Sequence, residues 1–297
     1  MADGVDPLST WLTEASGVLA ARQAVDGGWP FVPGQTSATE PTAMAALALG
    51  CVTQRDFRAQ EAADWLIGRQ RGDGMFSATP LCDDANWVTA FAGLAVMRNG
   101  QVDAADRAAR VLLNEPVHTI PRPLTAGIYG YDTELRGWPM LPGDFSLNEP
   151  TCAAMIFLKR AGYGREPRVR EAVAMLRDRA IGSGGWNYGE PRVWGGDLFP
   201  AVTGTAMSLL ALADEQDDFT AAGLDWLESR RGSITSLYSL GWAAIAMNVL
   251  GRLDDAWRAD AIDLWHASAD ERRGPLETAL CLLGLVDIED HPLGVTS

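Results

Sequence analysis

Apolar residues recur along this chain at the spacing of an α-helix, whereas runs of alternating β-branched residues are almost absent. The first predicted helix runs from Leu8 to Gln23 and is apolar along one face. The segment from Ala24 to Gly34 ends it, because its glycines and prolines interrupt a helix. A second helix begins near Glu40 and stops at Gly50. The pattern predicts an all-α fold.

This pair of helices recurs along the rest of the chain. In each later pair, an amphipathic helix with charges on one side leads to a second helix that is apolar or small almost all round. A helix without a polar face is typical of a buried position. The later pairs are Glu61–Gln70 with Asn86–Met97, Ala104–Leu113 with Asn148–Leu158, Val169–Ala180 with Thr203–Ala213, Phe219–Arg230 with Leu240–Gly251, and Asp254–Ser268 with Gly274–Asp287.

About six pairs with a charged outer and an apolar inner helix predict an (α/α)6 barrel, a toroid of six inner and six outer helices. An open solenoid is the rival arrangement, but its terminal repeats should carry polar caps. The last inner helix, Leu276–Val286, is as apolar as the others, so we expect the ring to close. Small residues on the inner helices would then leave a central cavity. We therefore expect a single toroid domain over residues 1–297.

One connection is much longer than the others and is the main insertion, at residues 115–145. It is rich in Pro and Gly and carries Tyr129, Tyr131 and Trp138. Connections of this length inside a domain are usually functional or disordered. The aromatic residues favour an ordered lid across the mouth of the barrel, in which His118 and Arg122 would meet an anionic head group.

Composition narrows the range of partners. The net charge of −15 argues against nucleic acid and against an anionic membrane surface, since both need a basic face. No apolar run approaches the roughly 18–20 residues of a membrane span. The four cysteines lack any C-x-x-C pair and are interpreted as reduced core residues. With no signal peptide indicated, we expect a cytoplasmic protein without a cofactor.

Three glycine-rich segments share an order of residues: Gln23–Pro30 (QAVDGGWP), Gly68–Phe76 (GRQRGDGMF) and Gly182–Gly189 (GSGGWNYG). Each precedes an inner helix of the type T-A-x-x-x-L-x-L. In combination they resemble the repeats of terpenoid cyclases and of protein-prenyltransferase β-subunits, above all the Q-x-x-x-G-x-W repeats of squalene–hopene-type triterpene cyclases. The resemblance implies an α/α toroid that handles isoprenoid chains. It also implies that Trp29, Phe76 and Trp186 are structural.

The catalytic motifs of these families are missing from the chain. There is no D-x-D-D general acid and no D-x-C zinc ligand pair, and the diphosphate motif D-D-x-x-D fails at Asp83–Trp87. No metal is therefore expected. Class II cyclases normally pair two barrels, so a second subunit that supplies the missing acid stays open. The motifs that match therefore imply the fold of these families, but none of their chemistry.

Acidic residues stand at or just before the starts of the inner helices. They are Glu40, Asp83, Asp84, Glu149, Asp197 and, less regularly, Glu277. In a closed ring these starts share one end, so the acids would rim the mouth of the cavity. Helix capping and compensation of the helix dipole explain Glu40 and Glu149 equally well.

Alkene protonation requires a carboxyl that stays protonated beside an apolar cavity. Asp83 and Asp84 are adjacent, and close like charges raise one pKa. Asp197 lies between aromatic residues. We predict that the general acid is Asp83, Asp84 or Asp197.

Aromatic faces attract cations and would guide a carbocation. The residues that we predict to bind substrate, besides the acids Glu40 and Glu149, are Trp87, Trp138, Tyr188, Trp194, Phe199, Tyr238, Trp242 and the polar Asn248. These features favour an enzyme that binds an apolar isoprenoid or polyene and cyclises it by acid-initiated carbocation chemistry. Two alternatives stay open, a carbohydrate-active α-barrel (lyase or glycosidase) and a non-catalytic barrel that binds a lipid or a partner protein.

Overall fold

The computed structural model describes residues 6–53, 56–82, 84–125 and 127–295. These ranges are mostly helical, which confirms the all-α prediction. The helices, in chain order, are α1 (Pro7–Ala21), α2 (Thr39–Val52), α3 (Phe57–Ile67), α4 (Thr89–Arg98), α5 (Val102–Leu113), α6 (Arg122–Thr125), α7 (Asn148–Arg160), α8 (Pro167–Asp178), α9 (Val202–Ala211), α10 (Asp218–Arg230), α11 (Leu237–Val249), α12 (Asp255–Ala267) and α13 (Pro275–Leu285). Two short strands, β1 (Arg192–Val193) and β2 (Gly196–Asp197), pair as an antiparallel hairpin. Short 3-10 turns follow α10 (Arg231–Ser233) and α12 (Asp270–Arg272).

Two kinds of helix alternate in the sequence, as the pattern predicts. Helix α2 buries every residue from Thr39 to Leu49, whereas α10 buries only Gly223 and Leu227. We call α2, α4, α7, α9, α11 and α13 the inner helices and α1, α3, α5, α8, α10 and α12 the outer helices. Because the inner helices are buried on nearly all sides, their apolar composition reflects position rather than membrane insertion.

Contacts between the inner helices run in a cycle. Helix α2 packs on α4, α4 on α7, α7 on α9, α9 on α11, α11 on α13, and α13 on α2. Each outer helix packs on one or two inner helices, so α1 contacts α13 and α2 while α3 contacts α2 and α4. The last inner helix therefore meets the first.

Glycine allows a close contact in this cycle, between α11 and α13. A Cβ atom at Gly241 would lie 2.6 Å from the Cβ of Leu280, and one at Gly284 would lie 2.6 Å from the Cβ of Ala244. Both distances are shorter than van der Waals contact, so any larger side chain would push the two helix backbones apart.

A recurrent set of hydrogen bonds explains the glycine-rich repeats. The backbone N–H of Trp29 donates to Oγ1 of Thr42 at 2.8 Å, and the indole Nε1 of Trp29 donates to the carbonyl of Leu19 at the end of α1. The aromatic residue therefore joins the preceding outer helix to the following inner helix. The same bond from backbone N–H to threonine joins Phe76 to Thr89, Trp138 to Thr151 and Trp186 to Thr205.

The glutamine of the repeat links consecutive outer helices. Nε2 of Gln70 donates to the carbonyl of Gly74 in its own turn and to that of Ala104 in α5. Nε2 of Gln23 likewise donates to the carbonyl of Gly27 and to the carboxylate of Glu61 in α3. Trp29, Phe76 and Trp186 are all fully buried, and their contacts are those of structural residues.

The starts of the inner helices lie at one end of the molecule, where those of α2, α4 and α7 each bond to the turn before the next inner helix. The backbone N–H of Thr39 in α2 donates to Ala78, that of Trp87 to Met140, and that of Asn148 in α7 to Tyr188. Oγ1 of Thr203 in α9 approaches Oγ of Ser239 in α11 at 3.4 Å. We call this end the mouth.

The long connection before α7 packs against the β1–β2 hairpin at the mouth. The backbone N–H of Trp194 donates to the carbonyl of Ile128 at 2.8 Å, and Tyr129 forms an isolated bridge with Val193. Further bridges pair His118 with Phe145 and Trp138 with Leu147. The N–H of Asp132 also donates to Asp178 in α8, and Arg136 forms an ion pair with Glu171 in α8. The described part of the insertion is thus held to the body of the protein at several points.

Candidate functional site

Three inner helices carry a glutamate in their first turn at the mouth. Glu40 is the second residue of α2, Glu149 the second of α7, and Glu277 the third of α13. Burial, together with the charges of Glu149 and Glu277, raises the pKa of Glu40 to about 7. The three helices therefore aim carboxyl groups at a common region.

A tyrosine on a fourth helix joins these carboxyls. Tyr238 is the second residue of α11 and is half-buried. Burial raises its pKa, and the charges of Glu40 and Glu149 add to that effect. We call Glu40, Glu149, Tyr238 and Glu277 the acidic cluster.

Aromatic rings adjoin the acidic cluster. Trp242 follows Tyr238 by one helical turn in α11. The rings of Phe91 in α4 and Trp242 have centroids 5.8 Å apart, and Phe91 meets Trp87 edge-on at 5.3 Å. Phe91 and Trp242 are fully buried, whereas Trp87 is half-buried just before α4. We call Trp87, Phe91 and Trp242 the aromatic floor.

One buried polar atom beside the acidic cluster lacks a hydrogen bond in the described part of the chain. Oδ1 of Asn148, the residue before Glu149, has no partner, although its Nδ2 donates to the carbonyl of Asn187. The indole N–H of Trp242 lies beside the hydroxyl of Tyr238, where it acts as a hydrogen-bond donor that lowers the pKa of Tyr238. Buried polar groups are normally satisfied, so the free amide oxygen of Asn148 is an acceptor that a polar group of a ligand would satisfy.

Burial is the main electrostatic influence on the cluster. It raises the pKa of Glu149 and of Glu277, and only Glu277 has a nearby cation, Arg22, that lowers it. A carboxyl that remains protonated near neutral pH can donate its proton to a substrate. Glu40, which is almost completely buried, is the member best suited to that role.

The acids predicted to be catalytic lie elsewhere. Asp83 falls outside the described residues, and Asp84 is exposed. Asp197 is exposed in β2 and forms an ion pair with Arg192 at 2.6 Å, whose hydrogen bond lowers its pKa. A solvated and ionised carboxylate is the opposite of a proton donor, so the geometry of Asp197 does not suit a general acid.

The structure brings together six of the residues predicted to bind substrate: Glu40, Trp87, Glu149, Tyr188, Tyr238 and Trp242. Tyr188 is 61% exposed, but its carbonyl accepts the N–H of Asn148 at the start of α7, and its side chain contributes to the raised pKa of Tyr238. Trp194 and Phe199 are 75% and 90% exposed and lie on or just after the hairpin. These two rings are not part of the aromatic floor.

Two further predictions need correction. Trp138 belongs to the structural set, because its N–H groups bond to Thr151 and to the carbonyl of Leu112. Asn248 lies near the end of α11, where its Nδ2 donates to the carbonyls of Gly284 and Val286 at the end of α13. It caps a helix at the end opposite the mouth, so it cannot contact the acidic cluster.

Sequence reasoning missed Phe91 and gave Glu277 only a minor place. Phe91 follows Trp87 by four residues, which is the spacing of one helical face, and that signal would have found it. Glu277 follows a proline at the start of α13, so it looked like a dipole-compensating residue.

Neither a metal site nor a membrane-spanning helix is found in the described part of the chain. No group of three or more His, Cys, Asp or Glu side chains there is arranged to hold a metal ion. No helix in these ranges combines the length and apolarity needed to cross a bilayer. All four cysteines are free thiols, and burial raises the pKa of Cys152 and Cys281 to about 12, which makes them poor nucleophiles.

Comparison with known proteins identifies the fold. No protein-family model matches the chain, and no curated protein matches its sequence. Solved structures do match. The type II terpene cyclase MstE from Scytonema, as a variant in complex with its substrate geranylgeranyl dihydroxybenzoate, aligns at a TM-score of 0.62 with 14% identity, over 94% of this chain and 98% of that one.

Two other structures align equally well. A novel alpha-amylase from Clostridium perfringens has a TM-score of 0.62 at 10% identity, over 96% of this chain and 99% of that one. A protein from Actinoplanes has a TM-score of 0.61 at 14% identity, over 94% and 98% of the two chains. At such identities the likeness concerns the fold alone: the chain has a terpene-cyclase-like all-α fold.

Proposed function

We propose that this protein is a terpenoid-cyclase-like enzyme that binds an apolar isoprenoid or polyene at the mouth and protonates it from Glu40. The observation that carries the proposal is the position of Glu40, a buried carboxyl whose pKa is raised to about 7 and which is near enough to Glu149 and Glu277 to feel their charges. We further propose that the cycle of inner helices is an (α/α)6 toroid forming one domain, with residues 115–145 as its lid.

The chemistry follows from the two layers of the site. The protonated carboxyl of Glu40 would give its proton to one alkene carbon, whose π electrons form the new C–H bond and leave a cation on the other carbon. Attack by a second alkene closes a ring and moves the cation. Loss of a proton to a carboxylate of the cluster, such as Glu149, would regenerate an alkene, so the product is an isomer of the substrate.

The aromatic floor supports this chemistry. Faces of Trp and Phe attract a cation by ~0.5–2 kcal/mol each, more when water is excluded. Phe91 and Trp242 meet in the interior, so a substrate would approach the carboxyls from the mouth rather than pass through the molecule. The expected substrate is therefore a chain that folds above the rings, not one that threads the barrel.

A second candidate is carbohydrate chemistry. Several carboxyls with raised pKa values that face one another are also the groups that hydrolyse glycosidic bonds. Exposed Tyr188 and Trp194 at the same end would stack on sugar rings. The match in fold to an alpha-amylase keeps this candidate in the test.

The test is turnover of two panels of compounds by purified protein. Polyprenyl alcohols, squalene and prenylated aromatics form one panel, and soluble α-glucans form the other. We expect cyclised products of unchanged mass from the first panel, abolished by Glu40→Gln and retained by Asp84→Asn, with thermal melts to show that both variants fold.

The outcomes separate the hypotheses. Loss of turnover in Asp84→Asn but not in Glu40→Gln would restore the sequence-based assignment of the acid. Release of reducing ends from glucans would favour the glycosidase. If neither panel changes and Glu40→Gln binds polyprenyl compounds as well as the native protein does, the enzyme proposal fails and a non-catalytic lipid-binding barrel remains.

A further inference from the structure

A cavity lies beneath the insertion, and no member of the acidic cluster lines it. Its volume is about 270 Å³, close to the lower end of the ~300–1,000 Å³ range of ligand pockets. Part of its wall is aromatic or aliphatic, with Ile120, Tyr129, Tyr131 and Phe145 from the insertion. The remaining wall includes Arg179, which follows α8.

Arg179 is the unusual member of this wall. Its exposed fraction is only 5%, so the guanidinium is removed from water. Nη1 donates to the carbonyl of Ser146 at 2.8 Å, and the guanidinium stacks over the ring of Tyr131 at 4.8 Å. Nε is buried without a hydrogen-bond partner, and within the described ranges no carboxylate forms an ion pair with Arg179.

A buried guanidinium without a counter-ion is costly, because desolvation of a charge must be offset by pairing. Burial lowers the pKa of Arg179, and the partial compensation comes from Tyr131, Asp178 and Glu190. The carboxylate of Asp178 is already engaged, since its Oδ2 accepts the N–H of Asp132. The cavity wall therefore carries a buried guanidinium whose Nε makes no hydrogen bond, beside apolar walls.

The other charges on the wall limit which anion fits. Asp144 and Glu190 both line the cavity, so a multiply charged group such as phosphate would meet two carboxylates. A single negative charge on a flat, apolar body meets less repulsion. Such a body would also use Phe145, which already packs edge-on against His118 at 4.8 Å, and the tyrosine rings.

We propose that this cavity is a binding site for a small aromatic monocarboxylate, whose carboxylate pairs with Arg179 and whose ring lies against Tyr129, Tyr131 and Phe145. A guanidinium offers two parallel N–H donors that match a carboxylate in geometry. The site is separate from the acidic cluster and does not depend on the proposed chemistry there.

The test measures binding of benzoate by calorimetry and by ligand-observed NMR, with benzamide as the neutral analogue and inorganic phosphate as the competing anion. We expect benzoate to bind at least tenfold more tightly than benzamide or phosphate. Arg179→Gln should abolish the preference for benzoate over benzamide. Arg192→Gln, which removes an exposed guanidinium on the neighbouring hairpin, is the matched control and should leave it unchanged.

A second variant tests the proposal independently if Arg179→Gln does not fold. Ile120→Trp fills the cavity from the half-buried insertion side and leaves the guanidinium in place. It should abolish benzoate binding while the melting temperature stays near that of the native protein. Absence of benzoate binding at millimolar concentration, or binding that survives Ile120→Trp, would overturn the proposal, as would tighter binding of phosphate.

Discussion

Phe91 and Trp242 are in ring contact although α4 and α11 are three steps apart in either direction around the cycle of inner helices. Side chains from opposite helices therefore meet in the interior, and Trp242 lies one helical turn beyond Tyr238 of the acidic cluster. This contact sets the depth of the candidate site, because a substrate cannot pass it without displacing a ring.

Removal of one ring should deepen the site and destabilise the protein. We expect Phe91→Ala to lower the free energy of unfolding by about 3–5 kcal/mol, since a large buried side chain leaves a cavity. Urea titration checks this value. Phe219→Ala is the matched control, because Phe219 is 46% exposed on α10, and it should cost less than about 1 kcal/mol. If both substitutions lower the free energy of unfolding equally, Phe91 is not buried in the interior and cannot meet Trp242 there.

Loss of the hydrogen bond between the Trp29 N–H and Thr42 should destabilise the protein more than loss of the threonine hydroxyl at the corresponding position of another inner helix. Thr42→Val keeps the shape but leaves the buried N–H of Trp29 unsatisfied, so we expect a loss of about 1–3 kcal/mol. Thr278 occupies the corresponding position in α13, but its Oγ1 donates to Arg273 and accepts no N–H from a repeat turn. Thr278→Val should therefore cost about 1 kcal/mol or less. Thermal melts of both variants compare them, and a larger loss for Thr278→Val would contradict the structural role of the repeat.

Replacement of two helical glycines by alanine should change the stability of the protein in opposite directions. A Cβ at Gly93 in α4 would lie 2.4 Å from Cζ of Phe157, so Gly93→Ala should cost about 1–3 kcal/mol. A Cβ at Gly17 in α1 would meet no atom within 4 Å, so Gly17→Ala should add about 0.5–1 kcal/mol through helix propensity. Denaturant titration of the pair measures both. A neutral Gly93→Ala would mean that α4 and α7 are not packed closely there.

A buried carboxyl outside the acidic cluster should make stability depend on pH. Both carboxyl oxygens of Glu115 are buried without hydrogen bonds, and burial raises its pKa from 4.5 to about 7 despite the nearby charge of Arg168. The folded state therefore binds this proton more tightly than the unfolded state does. Its contribution to stability is complete below pH 4.5 and is lost as the pH rises towards 7, by on the order of 3 kcal/mol.

Glu115→Gln removes this titration, so its stability should fall less than that of the native protein between pH 4.5 and 7. Urea titrations across that window give the difference between the two proteins, which cancels the similar slope expected from Glu40. Glu166→Gln, an exposed residue beside α8, is the control. Parallel pH profiles for the native protein and Glu115→Gln would show that Glu115 is ionised and solvated.

The repeat architecture was predictable because its signals are local. Amphipathic and all-apolar helices alternate according to which side chains contact water. The aromatic residues are flanked by glycine because their turns need glycine. Glu40 and Glu149 could be placed at the starts of inner helices for a related reason, since helix starts can be located from sequence.

The rest of the site depends on contacts between distant parts of the chain. Neighbouring turns decide whether an acid near a helix start is exposed, like Asp84, or buried, like Glu40. The sequence alone does not show how these turns are arranged in space. Trp138 has the same local appearance as a cavity-lining residue, yet its indole N–H reaches Leu112 across the connection. Arg179 gives no sequence signal, because only the folded insertion removes it from water.

The proton affinity of Glu40 tests the central claim most directly. Protein labelled with ¹³C at the glutamate carboxyls is titrated by NMR, and Glu40→Gln identifies the signal. We predict two carboxyls with midpoints near pH 7, those of Glu40 and Glu115, of which only the signal of Glu40 is absent from the variant. Burial and the nearby carboxylates of Glu149 and Glu277 keep Glu40 protonated. A Glu40 signal that titrates near 4.5, as a solvated glutamate does, would contradict the proposed general acid.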